Sequence, residues 1–269
     1  MKFSVWHLNK RLLVILIRIK FRNKSKYQFK LDVKGSLLEY HELNAPSGSV
    51  NTIYYYYPLR TTRYFMGIQD RLNHIGKEYC LDQINHFDEG VIVDIGSNVG
   101  EFTLRAHQIF PSAQFVRFEP SKTENMASIL NLNGINQTLI EKPLWNSVTK
   151  LKFYNENETG DSSLFKPNAK SNSIEVETST LDVEISKLNI KKIQLLKLEA
   201  EGAEPEILEG GSETLKITQN VTADLGPERG MNQDRTFDQV NELLLRAGFS
   251  LQGRNPGNRE CYLYSRSST

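Results

Sequence analysis

The residue types that could bind a charged small ligand are concentrated in one short segment, Asp94-Ile-Gly96-Ser97-Asn98-Val-Gly100. Its two glycines stand four positions apart, so the backbone can turn sharply and approach a ligand without an intervening Cβ. The spacing is neither the G-x-G-x-x-G of dinucleotide-binding folds nor a phosphate loop that ends in Lys-Ser/Thr. Because Asp94 opens the segment, we expect a ligand with a positive charge or an amino group, and not a pyrophosphate.

A second acidic segment, Phe118-Glu119-Pro120-Ser121, follows the next predicted strand. The Glu119 carboxylate has enough acceptor positions for both hydroxyls of a ribose. Since parallel strands end at one edge of a sheet, Asp94 and Glu119 should face the same crevice. Together they suit a cationic nucleoside, the chemical class of S-adenosylmethionine. For either residue alone, a helix cap or a surface charge is the simpler interpretation.

Carboxylates also follow two later predicted strands, in Lys197-Leu-Glu199-Ala-Glu201-Gly202 and in Ala223-Asp224-Leu-Gly-Pro-Glu228-Arg229. Strand alternation places Lys197, Glu199 and Glu201 on one side of the chain. Glu199 and Asp224 should therefore face the crevice that holds the ligand. A structural alternative is that Glu201 and Glu204 only stabilise the amino end of the following helix by their charge.

Around these segments the chain alternates between predicted strands and predicted helices. Predicted strands cover residues 91–96, 114–120, 138–144, 193–198 and 221–225, and predicted helices cover residues 98–110, 121–133, 181–188, 205–211 and 236–247. Ser121-Lys-Thr-Glu124 has the pattern of a capping box. Residues 150–179 predict an inserted hairpin, and residues 249–252 and 261–264 an antiparallel pair at the sheet edge. This order predicts an α/β fold with a doubly wound, mostly parallel sheet and an antiparallel last strand.

The amino-terminal part of the chain has a different character. We expect residues 1–88 to form an N-terminal extension or cap, helical over residues 60–87, and residues 89–269 to form the ligand-binding domain. Residues 1–30 contain nine basic residues and no acidic one. Their apolar run is too short to span a bilayer. Two interpretations remain: an amphipathic stretch in peripheral contact with an anionic membrane surface, or an element packed on the domain with its charges solvated.

The composition restricts the class of protein. The 269 residues include 33 Lys and Arg against 32 Asp and Glu, a net charge of +1 that argues against nucleic-acid binding. Charged residues make up only 24% of the chain, which excludes global disorder. Cys80 and Cys261 match no ligand spacing, which excludes a disulfide framework and a zinc ribbon. We expect a cytoplasmic protein, or one peripheral at the inner membrane surface. The sequence does not define the oligomeric state.

Three segments, VIVDIGSNVGEFT, FEPS and LLKLEAEGAEPEILEG, resemble the FkbM-type family of S-adenosylmethionine-dependent methyltransferases. The resemblance covers about residues 90–250, and the last segment is the most specific to the family. Glu199 stands where the family usually has Asp, and Pro205 is unusual at its position, but both preserve charge or helix geometry. The resemblance implies a Rossmann-like class I methyltransferase fold.

The resemblance also implies which residues contact the cofactor, S-adenosylmethionine. Residues of the glycine segment would surround its methionine part, and Glu119 would bind the ribose hydroxyls. The full set of implied contacts is Asp94, Gly96, Ser97, Asn98, Gly100, Glu119, Ser121, Leu144 and Trp145. Leu144 and Trp145 would lie near the adenine, with the buried core as an equal alternative for Trp145.

Methyl transfer to a hydroxyl requires a base or a metal ion that removes the proton. All five histidines precede the later acidic segments, so carboxylates are the candidates. In one interpretation Glu199 and Asp224, with Glu201 nearby, bind Mg²⁺. In the other, one of these carboxylates is the base, and Glu228 and Arg229 hold the acceptor.

We therefore expect an O-methyltransferase that acts on a hydroxyl of a sugar in a surface glycan or glycoconjugate. Its partners would be the cofactor and this glycan or small-molecule acceptor. Two alternatives remain: a methyltransferase of a non-sugar hydroxyl, and a non-catalytic binding protein that retains the fold.

Overall fold

The computed structural model describes residues 2–154, 162–166, 172–255, 257 and 259–266. A sheet of seven strands lies at its centre, in the order β13-β14-β10-β9-β4-β5-β6. These strands are β4 (Val91–Ile95), β5 (Gln114–Phe118), β6 (Gln137–Ile140), β9 (Ile193–Leu198), β10 (Thr218–Asp224), β13 (Phe249–Arg254) and β14 (Cys261–Arg266). Five neighbouring strands pair in parallel: β10, β9, β4, β5 and β6. Strand β14 pairs antiparallel with both β10 and β13. The predicted mixed sheet is confirmed.

Helices cover both faces of this sheet. They are α2 (Ile68–Glu78), α3 (Glu101–Ile109), α4 (Lys122–Asn131), α5 (Leu181–Lys187), α6 (Glu204–Glu209), α7 (Ser212–Lys216) and α8 (Phe237–Arg246). Neighbouring strand residues alternate between two hydrophobic clusters: Ile92 packs with α2 and α3, whereas Val93 packs with α5, α6 and α8. Burial on both faces explains the continuous β-branched run of β4. The doubly wound α/β class is therefore confirmed.

An inserted hairpin and a small N-terminal sheet complete the molecule. The hairpin pairs β7 (Lys150–Tyr154) with β8 (Ser173–Glu177), and residues 155–161 and 167–171 of this predicted insertion lie outside the described residues. The N-terminal part contains α1 (Lys2–Phe21) and a three-stranded antiparallel sheet of β1 (Phe29–Lys34), β2 (Leu37–Glu42) and β3 (Thr52–Tyr55). Two short strands, β11 (Pro227–Arg229) and β12 (Asp234–Arg235), pair beside the main sheet. No described helix is both long enough and apolar enough to cross a membrane.

Several element boundaries differ from the prediction, for local reasons. The first helix after β4 begins at Glu101 and not at Asn98, because Asn98 and Gly100 have left-handed φ angles of 48° and 89°. The third strand ends at Ile140 and not at Leu144, which forms only an isolated bridge with Ser179. The predicted helix over residues 60–87 is interrupted by positive φ at Gly67 and Cys80.

The predicted capping box at the start of α4 is wrong. Ser121 is the N-cap residue, but its side chain makes no capping bond and contacts the Thr123 hydroxyl at 3.0 Å. Glu124 pairs instead with Arg60, at 2.5 Å between guanidinium nitrogen and carboxylate oxygen. A long-range ion pair has replaced the local hydrogen bond.

This ion pair joins the N-terminal part to the rest of the fold. Both side chains are 5% exposed, and the second Arg60 nitrogen donates to the side chain of Asn98 at 3.0 Å. Nearby, Asn131 accepts the backbone N–H of Tyr54 and donates to its carbonyl, which fixes β3 against α4. The predicted boundary at residue 88 thus separates two segments that share buried contacts.

Replacing Glu124 by Gln should strongly destabilise the protein, because it leaves the Arg60 charge buried without its counter-ion. The free energy of unfolding should fall by about 3–5 kcal/mol, measured by urea-induced unfolding. The matched control is Glu213→Gln, since Glu213 forms an exposed ion pair with Lys216 in which the side chains are 69% and 65% exposed. The control should change stability by less than about 1 kcal/mol. Equal losses in both variants would contradict the proposed linkage.

Candidate functional site

Two adjoining cavities open at the carboxyl ends of β4, β5 and β9. The first cavity lies between residues 118–121, residues 142–144 and the hairpin residues Phe153 and 162–164. The second cavity lies between the glycine turn, α2 and the segment that precedes β14. Four residues line both cavities: Gly96, Asn98, Glu199 and Glu201. The glycine turn and the end of β9 thus form a shared wall.

The turn after β4 requires glycine because two backbones meet there. Gly96 has a φ angle of 70°, and a Cβ at this position would lie 1.9 Å from the carbonyl oxygen of Glu199. The N–H groups of Gly96 and Ser97 both donate to the carbonyl of Phe118 at 3.0 Å. Asn98 follows with a φ angle of 48°, a conformation that Asn tolerates better than most residues. The sequence pattern at this turn reflects close packing of β4 against β9 and β5.

Ser97 and Gly100, in the same glycine segment, form contacts that stabilise the turn. The Ser97 hydroxyl lines the second cavity and accepts a hydrogen bond from Arg117 at 3.0 Å. Gly100 is the residue before α3, with a φ angle of 89°, and packs against the side chain of Leu132. Among the described residues that line the two cavities, Gly100 does not appear.

A buried lysine crosslinks this turn to β9. The Lys197 ammonium donates to the carbonyls of Ile95 and Gly96 at 2.9 and 2.8 Å, and lies 2.9 Å from Glu199 and 3.3 Å from Asp94. Burial alone lowers the pKa of Lys197, but Glu199 and Asp94 raise it above its ordinary value, so the side chain stays charged. Lys197 therefore fixes the shared wall of the two cavities.

Asp94 is buried behind the glycine turn, where it contacts Lys197 and Thr103. Its carboxylate is fully buried, accepts a hydrogen bond from the Thr103 hydroxyl at 2.7 Å and pairs with Lys197. It does not line either cavity formed by the described residues. Asp94, which the family resemblance places beside the methionine part of the cofactor, thus contacts Lys197, and Lys197 lines the second cavity.

Glu119 faces the first cavity in a fixed orientation. Its two carboxylate oxygens accept the backbone N–H groups of Asn98 and Ser121, both at 2.8 Å. Burial raises the pKa of Glu119 to about 7, although these two N–H groups oppose the shift. Each oxygen keeps a further acceptor position, so the carboxylate is able to accept two hydroxyl groups side by side.

Leu144 and Trp145 lie in different surroundings. Leu144 is buried, forms a bridge with Ser179 and lines the first cavity. Trp145 is half-buried, packs against the main hydrophobic cluster and lies 5.8 Å from the ring of Phe165. Among the described residues, Leu144 faces the cavity and Trp145 does not.

An arginine that the sequence pattern did not single out connects the two carboxylates predicted as metal ligands. The Arg259 guanidinium donates to both Glu199 and Asp224. The hydroxyl of Tyr79 also donates to Glu199, at 2.6 Å. Burial would raise the pKa of Glu199, but Arg259 and Lys197 hold it far below its usual range. Glu199 is therefore a fixed anion in a charge network.

This arrangement does not fit the predicted magnesium site. Glu199 and Asp224 lie close together as expected, but the Arg259 guanidinium bridges the two carboxylates, and Lys197 also pairs with Glu199. Within the part of the chain that the structure describes, no group of three or more His, Cys, Asp or Glu side chains is placed to hold a metal ion. The Mg²⁺ interpretation is thus not supported, because a guanidinium supplies the positive charge.

Glu101, Glu201 and Glu228 line the second cavity together with Glu199. Glu228 is half-buried, and burial together with the negative charges of Asp224 and Glu199 raises its pKa to about 9. Glu201 lies in a left-handed turn with a φ angle of 51° and lines both cavities. The second cavity therefore contains one carboxyl group with a high proton affinity.

The turn that carries Glu201 is held from two sides. Glu204 is buried and accepts the N–H groups of Ala200 and Gly202, so it fixes the turn that precedes α6. Arg229 donates to the carbonyl of Gly202 at 2.8 Å and forms a bidentate pair with Glu206. Arg229, predicted to hold an acceptor, lines neither cavity of the described residues.

The second cavity also includes residues from the N-terminal part, which motif analysis missed. Arg60, Arg63, Arg71 and Tyr79 line it, and Arg71 pairs with Glu101 of α3 at 3.4 Å. No motif in the sequence connects these residues with the strand ends. Arg71 reaches the site because α2 packs on α3, whereas Arg60 and Arg63 belong to the short 3-10 helix Pro58–Tyr64, which the pair between Arg60 and Glu124 holds against α4. Only the tertiary structure therefore identifies these residues.

Comparison with known proteins gives several matches. The model of the methyltransferase FkbM domain matches residues 94–251. Methyltransferase 1 of Beauveria bassiana is 26% identical over 202 residues, which cover 66% of this chain and 79% of that protein. The 2-O-methyltransferase NoeI of Sinorhizobium fredii is 29% identical over 148 residues, or 49% of this chain and 61% of NoeI. A solved structure, methyltransferase FkbM from Methylobacillus flagellatus, has a TM-score of 0.49 at 13% identity, covering 73% of this chain and 50% of that one.

The family match begins at the glycine segment and includes Glu119, the acidic end of β9 and the end of β10. It extends over more than half of the chain and confirms the resemblance drawn from the three sequence segments. The chain therefore belongs to the FkbM family of methyltransferases.

Proposed function

We propose that this methyltransferase transfers a methyl group from S-adenosylmethionine to a hydroxyl group, with the cofactor in the first cavity and the acceptor in the second. The observation that carries this proposal is the wall that the cavities share, formed by Gly96, Asn98, Glu199 and Glu201. Methyl transfer is an in-line displacement, so the acceptor oxygen must approach the methyl carbon from the side opposite the sulfur. Two adjoining cavities suit that alignment.

In the first cavity, the residues of the chain bind and orient the cofactor. When bound, S-adenosylmethionine supplies an electrophilic methyl group on a positively charged sulfur. The Glu119 carboxylate accepts the two ribose hydroxyls at its free positions, and Pro143 and Leu144 provide an apolar surface for the adenine. Glu201, which lines both cavities, would place a negative charge near the positively charged sulfur.

We assign the proton acceptor to Glu228. Glu199 is a poor base because Arg259, Lys197 and Tyr79 all contact its carboxylate. Glu228 has a raised pKa of about 9, so its ionised form accepts a proton readily. The acceptor hydroxyl gives its proton to Glu228, its oxygen forms the new bond to carbon, and the electrons of the carbon–sulfur bond return to sulfur.

The acceptor that we propose is a sugar hydroxyl of a surface glycan or glycoconjugate. One support is the relative NoeI, which is named a 2-O-methyltransferase. Another is the lining of the second cavity, where Arg63, Arg71, Tyr79, Glu201 and Glu228 offer donors and acceptors for a ligand rich in hydroxyls.

An acceptor panel tests this proposal. The panel contains free and glycosidically linked sugars, phenols and aliphatic hydroxy acids, each incubated with methyl-tritiated S-adenosylmethionine. We expect label in a sugar fraction, with one ring hydroxyl methylated. Label confined to the non-sugar hydroxyls would contradict the sugar assignment, and cofactor binding without transfer to any compound would contradict the assigned second cavity.

Replacing Glu119 by Gln should weaken cofactor binding, because it removes the charged acceptor of the ribose hydroxyls. Two hydrogen bonds to a charged group correspond to a roughly 10- to 100-fold rise in Kd, measured by calorimetry. Glu175→Gln, on the exposed strand β8, is the matched control and should leave the Kd unchanged, since Glu175 pairs with the exposed Lys150. Thermal unfolding of both variants separates a folding defect from a binding defect. An unchanged Kd for Glu119→Gln would place the ribose elsewhere.

The raised pKa of Glu119 also predicts a pH dependence. Affinity for S-adenosylmethionine should decrease as the pH falls through about 7, because protonation removes the charge that accepts the hydroxyls. For folding without ligand the sign is opposite: the stabilisation from protonated Glu119 is complete below its unfolded pKa of about 4.5 and is lost as the pH rises through about 7. Calorimetry across this range measures the first effect, and a constant affinity would disprove it.

Glu228→Gln should lower kcat by about 100-fold or more while leaving the Kd of the cofactor unchanged, because only proton removal is impaired. In the unmodified protein kcat should increase with pH up to about 9, where Glu228 ionises, and this increase should disappear in the variant. Glu201→Gln is the informative comparison, since Glu201 lines the same cavity. If Glu201→Gln and not Glu228→Gln removes the pH dependence, Glu201 is the base.

A further inference from the structure

Helix α1 has two apolar faces, and only one of them packs on the protein. Val14 and Ile17 are buried against the N-terminal sheet, with Leu13 and Phe21 packed beside them. On the opposite side four large apolar side chains are between 48% and 71% exposed: Leu12, Ile15, Leu16 and Ile19. Their spacing of three and four residues aligns them in one stripe along the helix, which we call the outer stripe. Such a face is unusual at a water-exposed surface.

Basic side chains border the outer stripe on both sides. At 3.6 residues per turn, Arg11 and Lys20 project from opposite edges of the stripe, and both are exposed. Arg22 and Lys24 are exposed at the carboxyl end of the helix. No ion pair joins these four residues to any other described residue, in contrast to Arg18, which pairs with Asp32. An apolar stripe between basic edges is the pattern of a helix that lies in a membrane interface.

We propose that the outer stripe binds the surface of an anionic lipid bilayer, with the axis of α1 in the plane of the membrane. The apolar side chains enter the boundary between headgroups and acyl chains, and the basic edges contact the anionic headgroups. The helix has 20 residues but is not apolar enough to cross the bilayer, which is consistent with a peripheral position.

Charge favours a lipid surface over a second copy of the chain. Residues 1–30 contain nine basic residues and no acid, so a symmetric contact between two α1 helices would bring like charges together. An anionic bilayer neutralises the same charges. The two interpretations of this segment from the sequence are therefore compatible, because one face of α1 packs on the protein and the other is free to contact lipid.

Vesicle co-sedimentation of the full chain tests this proposal. The probes are vesicles of phosphatidylcholine alone and of phosphatidylcholine mixed with phosphatidylserine, at low and high salt. One variant carries Leu12→Gln, Ile15→Gln, Leu16→Gln and Ile19→Gln, since Gln preserves the helix. A second carries Arg11→Gln and Lys20→Gln, and the control carries Leu245→Gln and Leu251→Gln, two exposed apolar residues far along the chain. Circular dichroism verifies that each variant is folded.

We expect the unmodified chain and the control to bind the anionic vesicles and to dissociate in high salt. Each α1 variant should bind at least about tenfold more weakly, since two basic contacts contribute that much at a lipid surface. Binding of the outer-stripe variant equal to that of the unmodified chain would overturn the proposal. Self-association that the outer-stripe substitutions abolish, without vesicle binding, would identify a second copy as the occupant and overturn it equally. Methyl transfer to a soluble acceptor should be the same in all variants, so this result is independent of the proposed reaction.

Discussion

The ammonium group of Lys197 is the interaction on which the site depends. It lies in the centre of the sheet edge, within hydrogen-bond distance of two carbonyls of the glycine turn and of the Glu199 carboxylate. A buried charge without partners costs several kcal/mol, so this lysine is tolerated only because carboxylates and carbonyls surround it. In return it holds β4 and β9 in register at the point where the two cavities meet. Gly96 allows this contact, because any side chain there would displace the Glu199 backbone.

The charge network extends from Lys197 across the second cavity. Glu199 connects Lys197 with Arg259, and Arg259 continues to Asp224 at the end of β10. Fixed pairs of this kind are preorganised, so they orient ligands without needing to reorganise during the reaction. The network also separates the roles of the acidic residues. Glu199 and Asp224 form ion pairs with Arg259, and Glu201 and Glu228 line the second cavity together with Glu199.

The sequence predicted the order of strands and helices well, because the β-branched runs and the glycine and proline positions act locally. It also predicted that Glu119 and Glu199 would meet at the strand ends, since topology alone brings them together. The sequence-based predictions failed where contacts between residues distant in the chain determine the partner of a side chain. Glu124 pairs with Arg60 and not with its own helix, and Arg259 bridges the two carboxylates for which Mg²⁺ was one interpretation. The sequence pattern also did not indicate that Asp94 pairs with Lys197. The partners in these contacts are distant in the chain, so the local spacing of residues does not predict them.

The most direct test of this account is a crystal structure of the protein with S-adenosylhomocysteine, the product of the proposed reaction. We predict that the ligand fills the first cavity, with both ribose hydroxyls within hydrogen-bond distance of Glu119 and the sulfur directed at the wall formed by Gly96 and Glu201. The Lys197 contacts to the glycine turn should be unchanged. A ligand in the second cavity, or a ribose that does not contact Glu119, would contradict it.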